Sequence, residues 1–515
     1  MIFLTGFMGS GKTTVGKELS SLLNRPFADL DERIQSMSGC TIPEIFEHAG
    51  EKAFRFLEKE ALMTISRSPG KYVVATGGGL PVNSFNRALM KSCGVIVHLR
   101  APYATLKQRI PDPSGRPVWD DHAVELFAAR KAVYEDADII IDTDEKTPHD
   151  VAEEICSKIS GYREPVPVLL PDSAYPAYIG KGIFPDIQSL IARHIKPDGI
   201  FVLIDENVLK IHREIITKAL QGSSCHIMEV PSGEESKSAA FLQTILTKMF
   251  SLRMNRDWLC VAIGGGVTGD LAGFAASVFM RGIPVVHVAT TLLAQVDSAI
   301  GGKTAINNAF GKNLVGTFHQ PLFVLSDVMF VKTLKDVQLK NAMAEVIKYG
   351  IIMDAELFEY VEKGHSLDYV RLAGMCSRDK ARIVSKDERE GDLRRILNFG
   401  HTLGHAIEQI TDYTVYHGQA VAMGMLFASW LSHKLGLLGA EYLKRIRELI
   451  LIEDIVPDKI GLPGADELAG FIAMDKKAAG RGIYFVLTPS IGDATVKKLT
   501  DSEVLDAYKE FLHGF

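Results

Sequence analysis

The residues Gly6-Phe7-Met8-Gly9-Ser10-Gly11-Lys12-Thr13 carry the spacing of a phosphate-binding loop. Glycines so placed let backbone N–H groups converge on a phosphate at a helix N-terminus, where partial positive charge accumulates. Lys12 is set to neutralise the β- and γ-phosphates of ATP and the Thr13 hydroxyl to hold Mg²⁺, with Gly9, Ser10, Gly11 and Thr14 completing the cradle. The four constrained positions coincide by accident in on the order of 0.02 chains this long. A second set lies near residue 400. His401 and His405 are spaced i, i+4 and share a helix face, His417 follows, and Glu345 sits in Ala344-Glu345-Val346-Ile347-Lys348. Two imidazoles and one carboxylate with an open position form a catalytic Zn²⁺ set. Spacing alone does not choose between His405 and His417, and a hydrogen-bonded histidine pair is the plainer reading of spacing alone.

Further groups cluster around each set. Phe27-Ala28-Asp29-Leu30-Asp31 ends an expected strand with two carboxylates facing one side, one for the Mg²⁺ shell and one for an acceptor hydroxyl. Arg55 lies on an expected helix, and Arg130 opens another, four residues before Tyr134. Arg109 and Arg116 bracket a Pro/Gly/Asp-rich loop, as in a lid that closes arginines over phosphates, although each arginine alone is equally a solvated charge. Gly264-Gly265-Gly266-Val267-Thr268-Gly269-Asp270 follows a strand pattern and opens a helix, offering close backbone approach to a pyrophosphate. Asp205-Glu206-Asn207, Glu234, Lys237 and Thr290-Thr291 fall at other strand ends, where α/β ligand sites sit.

These groups need scaffolds. A chain of 515 residues exceeds one hydrophobic core and suggests about three or four domains. Residues 1 to about 160 alternate short apolar strands with helical patterns, which implies a parallel α/β sheet. Gly161-Tyr162-Arg163-Glu164-Pro165-Val166-Pro167 is the expected boundary. A second α/β segment has expected strands at Gly199–Asp205, His226–Val230 and Trp258–Ile263, and from about Thr333 long amphipathic helices are expected to the C-terminus. The expected domains are 1–160, 166–330 and 331–515, the first a P-loop sheet, the second Rossmann-like and the third all-helical.

Composition bounds the partners. Apolar residues at 47% and charged residues at 23% are the balance of soluble globular proteins. A net charge of -6 argues against a nucleic-acid partner. Six scattered cysteines without a C-x-x-C pair fit reduced thiols in the cytoplasm. A strand starting at Ile2 leaves no expected signal peptide, and no apolar run approaches the ~20 residues of a membrane span.

Residues 1–160 resemble shikimate kinase, through GFMGSGKTTVG, the FADLD strand end, GEKAFRFLE, TGGG, the RP-containing lid and RKAVY. The resemblance implies ATP-dependent 3-phosphorylation of shikimate, with Asp31, Arg55, Gly77, Gly78 and Arg130 on shikimate, Asp29 and Thr13 near Mg²⁺, and Arg116 near ATP. Lys12 and Asp31 would be catalytic, and Arg109 would lie near the adenine. Two arginines and an aspartate suit a small carboxylated polyol. The lid reads Arg116-Pro117-Val118-Trp119 where the family more often has RPLL, a departure touching packing more than chemistry.

Residues from about 166 resemble 3-dehydroquinate synthase, through GGGVTGDLAGF, HVATTLLAQVDSAIGGKTAIN, GKNLVGTFHQP, AEVIKYG, LNFGHTLGHAIE and HGQAVAMGM. This implies conversion of 3-deoxy-D-arabino-heptulosonate 7-phosphate to 3-dehydroquinate and phosphate, with NAD⁺ regenerated and Zn²⁺ or Co²⁺ bound. The resemblance makes Glu345, His401 and His417 the metal ligands. His405 becomes a substrate and acid–base contact, and catalysis is shared with Lys303, Lys348 and Arg394. Implied dinucleotide contacts are Asp205, Asn207, Glu234, Lys237, Gly265, Gly266, Val267, Asp270, Thr290, Thr291, Lys312 and Thr333. Implied substrate contacts are Asp297, Lys303, Asn313, Lys348, Lys380, Arg394, Asn398 and one of Lys476 and Lys477. Arg281 would reach the site of a second subunit, implying a homodimer. Gln419 stands where the family usually has Glu; a carboxylate there would orient His417, and an amide would do so less basically.

Two other readings were open on residues alone. A non-catalytic nucleotide module predicts a damaged kinase set, whereas Lys12, Thr13, Asp31, Arg55, Arg116 and Arg130 are all present. A metal-dependent polyol dehydrogenase has no use for cations such as Lys303 and Lys348, because its substrate is neutral.

Overall fold

A computed structural model describes residues 1–110, 122–222, 224–364, 367–391, 393–412, 414–456, 462–470 and 483–514. The chain divides into two compact units, Met1–Tyr178 with Gln188–Lys196, and Ile179–Ile187 with Pro197–Phe515.

The first unit is built on five parallel strands, β1 (Ile2–Thr5), β2 (Phe27–Asp29), β3 (Val73–Ala75), β4 (Val95–Arg100) and β5 (Ile139–Asp142), in the order β2-β3-β1-β4-β5. β1 is buried throughout because helices cover both faces of the sheet. Its side chains alternate between two cores, Ile2 and Leu4 packing with Val15 and Leu19, and Phe3 with Leu30, Leu62 and Leu89. The loop after β1 feeds helix Lys12–Leu23 through Gly11, whose φ of 89° lies in the left-handed region that favours glycine.

This unit runs past the expected boundary near Pro165. Strands β6 (Val166–Leu169) and β7 (Ala174–Gly180) pair antiparallel, and Leu169 packs in the same core as Phe3. Tyr162 donates to the Gly94 carbonyl at 2.7 Å, and Arg193 binds Asp138 at 2.6 Å through Nε. The prolines that suggested a linker lie beside or within β6 instead, an edge strand, where proline is tolerated.

The second unit opens with parallel strands β8 (Ile200–Asp205), β9 (Cys225–Val230), β10 (Leu259–Gly264) and β11 (Val285–Ala289). An antiparallel arm follows, β12 (Lys303–Asn308) with β13 (Gly311–Phe318), and β14 (Phe323–Asp327) returns beside β11. The parallel order is β14-β11-β10-β8-β9. Helices Asp336–Ile352, Tyr369–Lys386, His401–Ile410 and His417–Lys434 then enclose one large apolar core.

Two glycines set how closely those helices approach. A Cβ on Gly424 would lie 1.8 Å from the Gly400 carbonyl oxygen, and one on Gly418 would lie 2.1 Å from that of Asn341. The start of His401–Ile410 is thereby pressed against the interior of His417–Lys434, whose own start is pressed against Asp336–Ile352. The region is not wholly helical. β15 (Ile483–Ser490) and β16 (Asp493–Leu499) form an antiparallel pair, with Phe485 and Leu487 buried in the helical core. A short apolar run is ambiguous between helix and strand by periodicity, which is why no strand was expected there.

Candidate active sites

In the first unit the phosphate loop lines a cavity of about 720 Å³ that also receives Thr14, Asp29, Asp31, Arg55, Gly77, Gly78, Arg109 and Arg130. Lys12 Nζ donates to the carbonyls of Gly6 and Phe7, at 2.9 and 3.0 Å. Thr13 Oγ1 donates to Asp29 Oδ2 at 2.6 Å. The other oxygen of Asp29 accepts from the Asp31 N–H at 3.0 Å, so Asp29 caps a helix, Leu30–Ser38. Asp31 therefore stands in that helix's first turn rather than at a strand end. The sequence pattern was misleading because Asp serves equally as last strand residue and N-cap.

Asp31 approaches the glycine turn after β3. A Cβ on Gly77 would fall 2.9 Å from Asp31 Oδ1 and 3.0 Å from Glu58 Oε1. Arg55 is gripped by Glu58 at 2.5 Å and Glu51 at 2.9 Å, on helix Ile42–Ser66. Burial pushes the Glu58 carboxyl up, and the Arg55 cation opposes it. Arg130 is buried in the middle of helix Ala123–Glu135, not at its start, and Tyr134 one turn on donates to the Gly78 carbonyl at 2.5 Å. The helix begins earlier than the pattern suggested because Ala123 and its neighbours are good helix formers without a strong cap. Arg109 donates to the hydroxyl and carbonyl of Thr143, at 3.1 and 2.7 Å. Arg116 lies outside the described residues, as do Lys476 and Lys477.

In the second unit one ligand atom each from Glu345, His401 and His417 falls within 4.8 Å of the other two. The Nε2 atoms of His401 and His417 each lie 3.5 Å from Glu345 Oε1, beyond a normal N–H···O hydrogen bond. A carboxylate and two imidazoles thus converge without closing good bonds among themselves, the donor chemistry of a divalent cation. Glu345 is 1% exposed and also pairs with Lys348. Burial opposes its charge, but Lys348 and the two histidines hold its carboxyl well below the usual range. Burial likewise lowers His401, aided by Lys348. Burial disfavours charge on His417 too, but the facing carboxylates of Glu345 and Glu408 raise it to about 10. His405 lies beside this group, its ring centroid 5.3 Å from that of His401 and 6.3 Å from that of His417.

Other cationic candidates of this unit have carboxylate or carbonyl partners. Lys380 reaches Asp297, and the Tyr349 hydroxyl donates to Asp297 at 2.6 Å. Arg394 is 1% exposed and donates to the Glu388 carbonyl at 2.7 Å. Lys303, half-exposed, pairs with Glu390 at 2.6 Å. Asn398 is exposed at the end of Leu393–Asn398.

The dinucleotide candidates gather at the strand ends. Gly265 caps helix Gly266–Val278, which carries Val267 and Asp270. Lys237 donates to Asp270 at 2.5 Å and also to Asn313. Asp205 caps helix Glu206–Ala219, accepting from the Asn207 N–H at 2.9 Å, and Asn207 Nδ2 donates to Ser232 at 2.6 Å. Glu234 accepts from Asn307 at 2.8 Å, and Thr291 accepts from the Ala294 N–H at 3.2 Å. The buried Thr290 hydroxyl has no hydrogen-bond partner among the described residues. The Thr333 hydroxyl lies 3.0 Å from His212 Nε2 and donates to the Phe330 carbonyl at 2.9 Å. Arg281 is exposed, with φ 67°, and is not brought to the metal-type cluster.

Sequence reasoning missed two residues. Glu408 Oε2 lies 3.1 Å from His417 Nδ1, while Gln419 Oε1 accepts from the Tyr416 N–H at 3.2 Å and caps the helix. The carboxylate beside His417 therefore comes from position 408, not 419; its spacing i+7 from His401 was the available signal. Tyr349, next to Lys348, gave no signal beyond its place on the Glu345 helix.

The chain thus joins a P-loop phosphotransferase unit to an α/β unit whose helical half carries a carboxylate–imidazole cluster. Residues 8–160 match the family profile shikimate kinase, 227–341 that of 3-dehydroquinate synthase N-terminal and 342–478 that of 3-dehydroquinate synthase C-terminal. The 3-dehydroquinate synthase of Thermoanaerobacter pseudethanolicus is 39% identical over 350 residues, 66% of this chain and 98% of the relative. That of Nitrosococcus oceani is 40% identical over 358 residues, 66% of this chain and 97% of the relative. Among solved structures, 2-epi-5-epi-valiolone synthase from Streptomyces hygroscopicus subsp. jinggangensis, with NAD⁺ and Zn²⁺ bound, superposes with a TM-score of 0.61 at 25% identity. It covers 67% of this chain and 99% of its own. The chain belongs to the 3-dehydroquinate synthase family and carries a shikimate kinase domain ahead of it. It is a bifunctional shikimate-pathway enzyme, a phosphotransferase and a carbon–oxygen lyase.

Proposed function

We propose that the two chemistries run at the two sites described, with the following division of labour. In the first unit, Lys12 and the loop N–H groups hold the ATP phosphates, and Thr13 with Asp29 supports Mg²⁺. Arg55 and Arg130 hold the shikimate carboxylate, the Gly77-Gly78 turn admits the ring, and Asp31 accepts the proton of the attacking 3-hydroxyl. The preformed Arg55–Glu58 grip supports this reading, because it fixes the guanidinium before substrate arrives.

In the second unit, Glu345, His401 and His417 hold the metal, Zn²⁺ or Co²⁺, and Asp205, Asn207, Lys237, Asp270 and the Gly265-Gly266 turn hold NAD⁺. When bound, the dinucleotide supplies a reversible hydride acceptor and the cation polarises adjoining hydroxyls. Lys303, Lys348, Lys380 and Arg394 bind the carboxylate and phosphate of the heptulosonate phosphate, with Asp297, Asn313 and Asn398 as polar partners. His405 carries a proton to or from the bound substrate. The observation that carries this reading is the convergence of Glu345, His401 and His417, with the buried Lys348 ammonium paired to Glu345. Glu345→Gln tests it: metal content and phosphate release should fall together, while ADP formation with shikimate persists. Full metal binding by that variant would contradict the assignment.

We further assign family domains at 1–160, 166–330 and 331–515, although the compact first unit also takes in residues up to Tyr178, place the protein in the cytoplasm, and propose a homodimer through the synthase half. Support for the dimer is the arm β12–β13, where Phe310 is 93% and Leu314 62% exposed. Support for the cytoplasm is the set of six unpaired cysteines. No helix among the described residues is long and apolar enough to cross a membrane.

A further inference from the structure

The ring of His417 has two nitrogens, and the structure places a different carboxylate at each. Nε2 faces Glu345 at 3.5 Å, in the cluster, while Nδ1 meets Glu408 Oε2 at 3.1 Å on the far side. Glu408 is 7% exposed and lies on helix His401–Ile410, two turns from His401. Its second oxygen is held in turn, 3.8 Å from Lys312 Nζ on β13. The carboxylate is therefore fixed from both sides before it meets the imidazole. Gln419, two residues beyond His417, spends its side-chain oxygen on the Tyr416 N–H.

We propose that Glu408 is the positioning residue of the metal site. It fixes the tautomer of His417, takes the Nδ1 proton in a hydrogen bond, leaves Nε2 as the electron-pair donor, and raises its basicity. Lys312, in the strand arm, keeps Glu408 in that pose. The inference rests on the reading of Glu345, His401 and His417 as metal ligands. A ligand histidine whose other nitrogen is held by a carboxylate binds metal more tightly, and losing such a partner typically costs 10–100-fold in affinity.

The test is Zn²⁺ affinity of the full-length protein, by competition with a chromophoric chelator, together with the visible spectrum of the Co²⁺ form. Glu408→Gln should weaken Zn²⁺ binding about 10–100-fold and shift the Co²⁺ bands, with Glu408→Asp recovering part of the loss. Gln419→Glu should bind Zn²⁺ within about twofold of the parent, because position 419 caps a helix and does not reach Nδ1. Thermal unfolding of the metal-free forms separates a folding defect from a lost ligand orientation. Parent-like affinity and spectrum in Glu408→Gln, or a large gain in Gln419→Glu, would overturn the assignment. A parent that binds no Zn²⁺, or binds it undiminished in Glu345→Gln, would overturn the metal reading itself and the inference with it.

Discussion

Lys380 donates to both the main-chain carbonyl and the carboxylate of Asp297, at 2.8 Å each. Burial lowers Lys380, and Asp297 pulls the other way. Burial also resists charge on Asp297, yet Lys380 and Lys348 hold its carboxyl below the usual range. The two charges are tenable only together. Asp297→Ala should destabilise the synthase unit by about 3–5 kcal/mol, since it leaves a buried ammonium uncompensated. Denaturant unfolding measures the loss, and the double variant with Lys380→Met should recover most of it.

The kinase set makes a prediction that leaves the other half untouched. Thr13→Val removes the hydroxyl that reaches Asp29 and should lower shikimate-dependent ADP formation on the order of 10²-fold. Phosphate release from the heptulosonate phosphate, assayed on the same preparation, should stay at the parental rate.

Helix approach, rather than any ligand contact, makes Gly424 sensitive. An added methyl would meet a backbone oxygen that cannot swing aside. Gly424→Ala should cost about 1–3 kcal/mol and also weaken Zn²⁺ binding, because separating these helices separates His401 from His417. Calorimetry and chelator competition read the two effects independently.

Acid should destabilise the first unit through two histidines. Burial lowers His98 to about 4 and His194 to about 3. Both folded values lie below that of an unfolded histidine, so the native state favours the neutral rings. Their contribution is complete above about pH 6.5 and is lost as pH falls from there toward 4, at roughly 1.4 kcal/mol per pH unit for each ring. His98→Gln and His194→Gln should each flatten the pH dependence of kinase thermal inactivation over that window.

Much of this was legible from residue types. The phosphate loop announces itself because Gly6, Gly9 and Gly11 have positive φ, and the glycine turn after β10 because a Cβ on Gly264 or Gly265 would lie 2.6 or 2.9 Å from Thr268 or Thr291. The metal-type cluster was legible in part: His401 and Glu345 stood out, but choosing His417 over His405 needed long matching strings, because the helix crossing at Gly418 and Gly424 has no local signature. Glu408 was hidden for the same reason, since only packing shows which of several acids meets Nδ1. Asp31 was misplaced because capping, not strand pairing, decides where β2 stops. The extension of the first unit past Pro165 depends on Arg193 meeting Asp138, which no window of sequence contains.

The most direct test of the account is a single preparation assayed for two products before and after chelation. With catalytic NAD⁺, phosphate should be released from the heptulosonate phosphate without NADH build-up. A chelator, followed by resupply of Mg²⁺, should abolish that release and spare ADP formation with shikimate. Restoring Zn²⁺ should bring phosphate release back. Release that survives chelation, or NADH accumulating in step with turnover, would contradict the assignment of the second site.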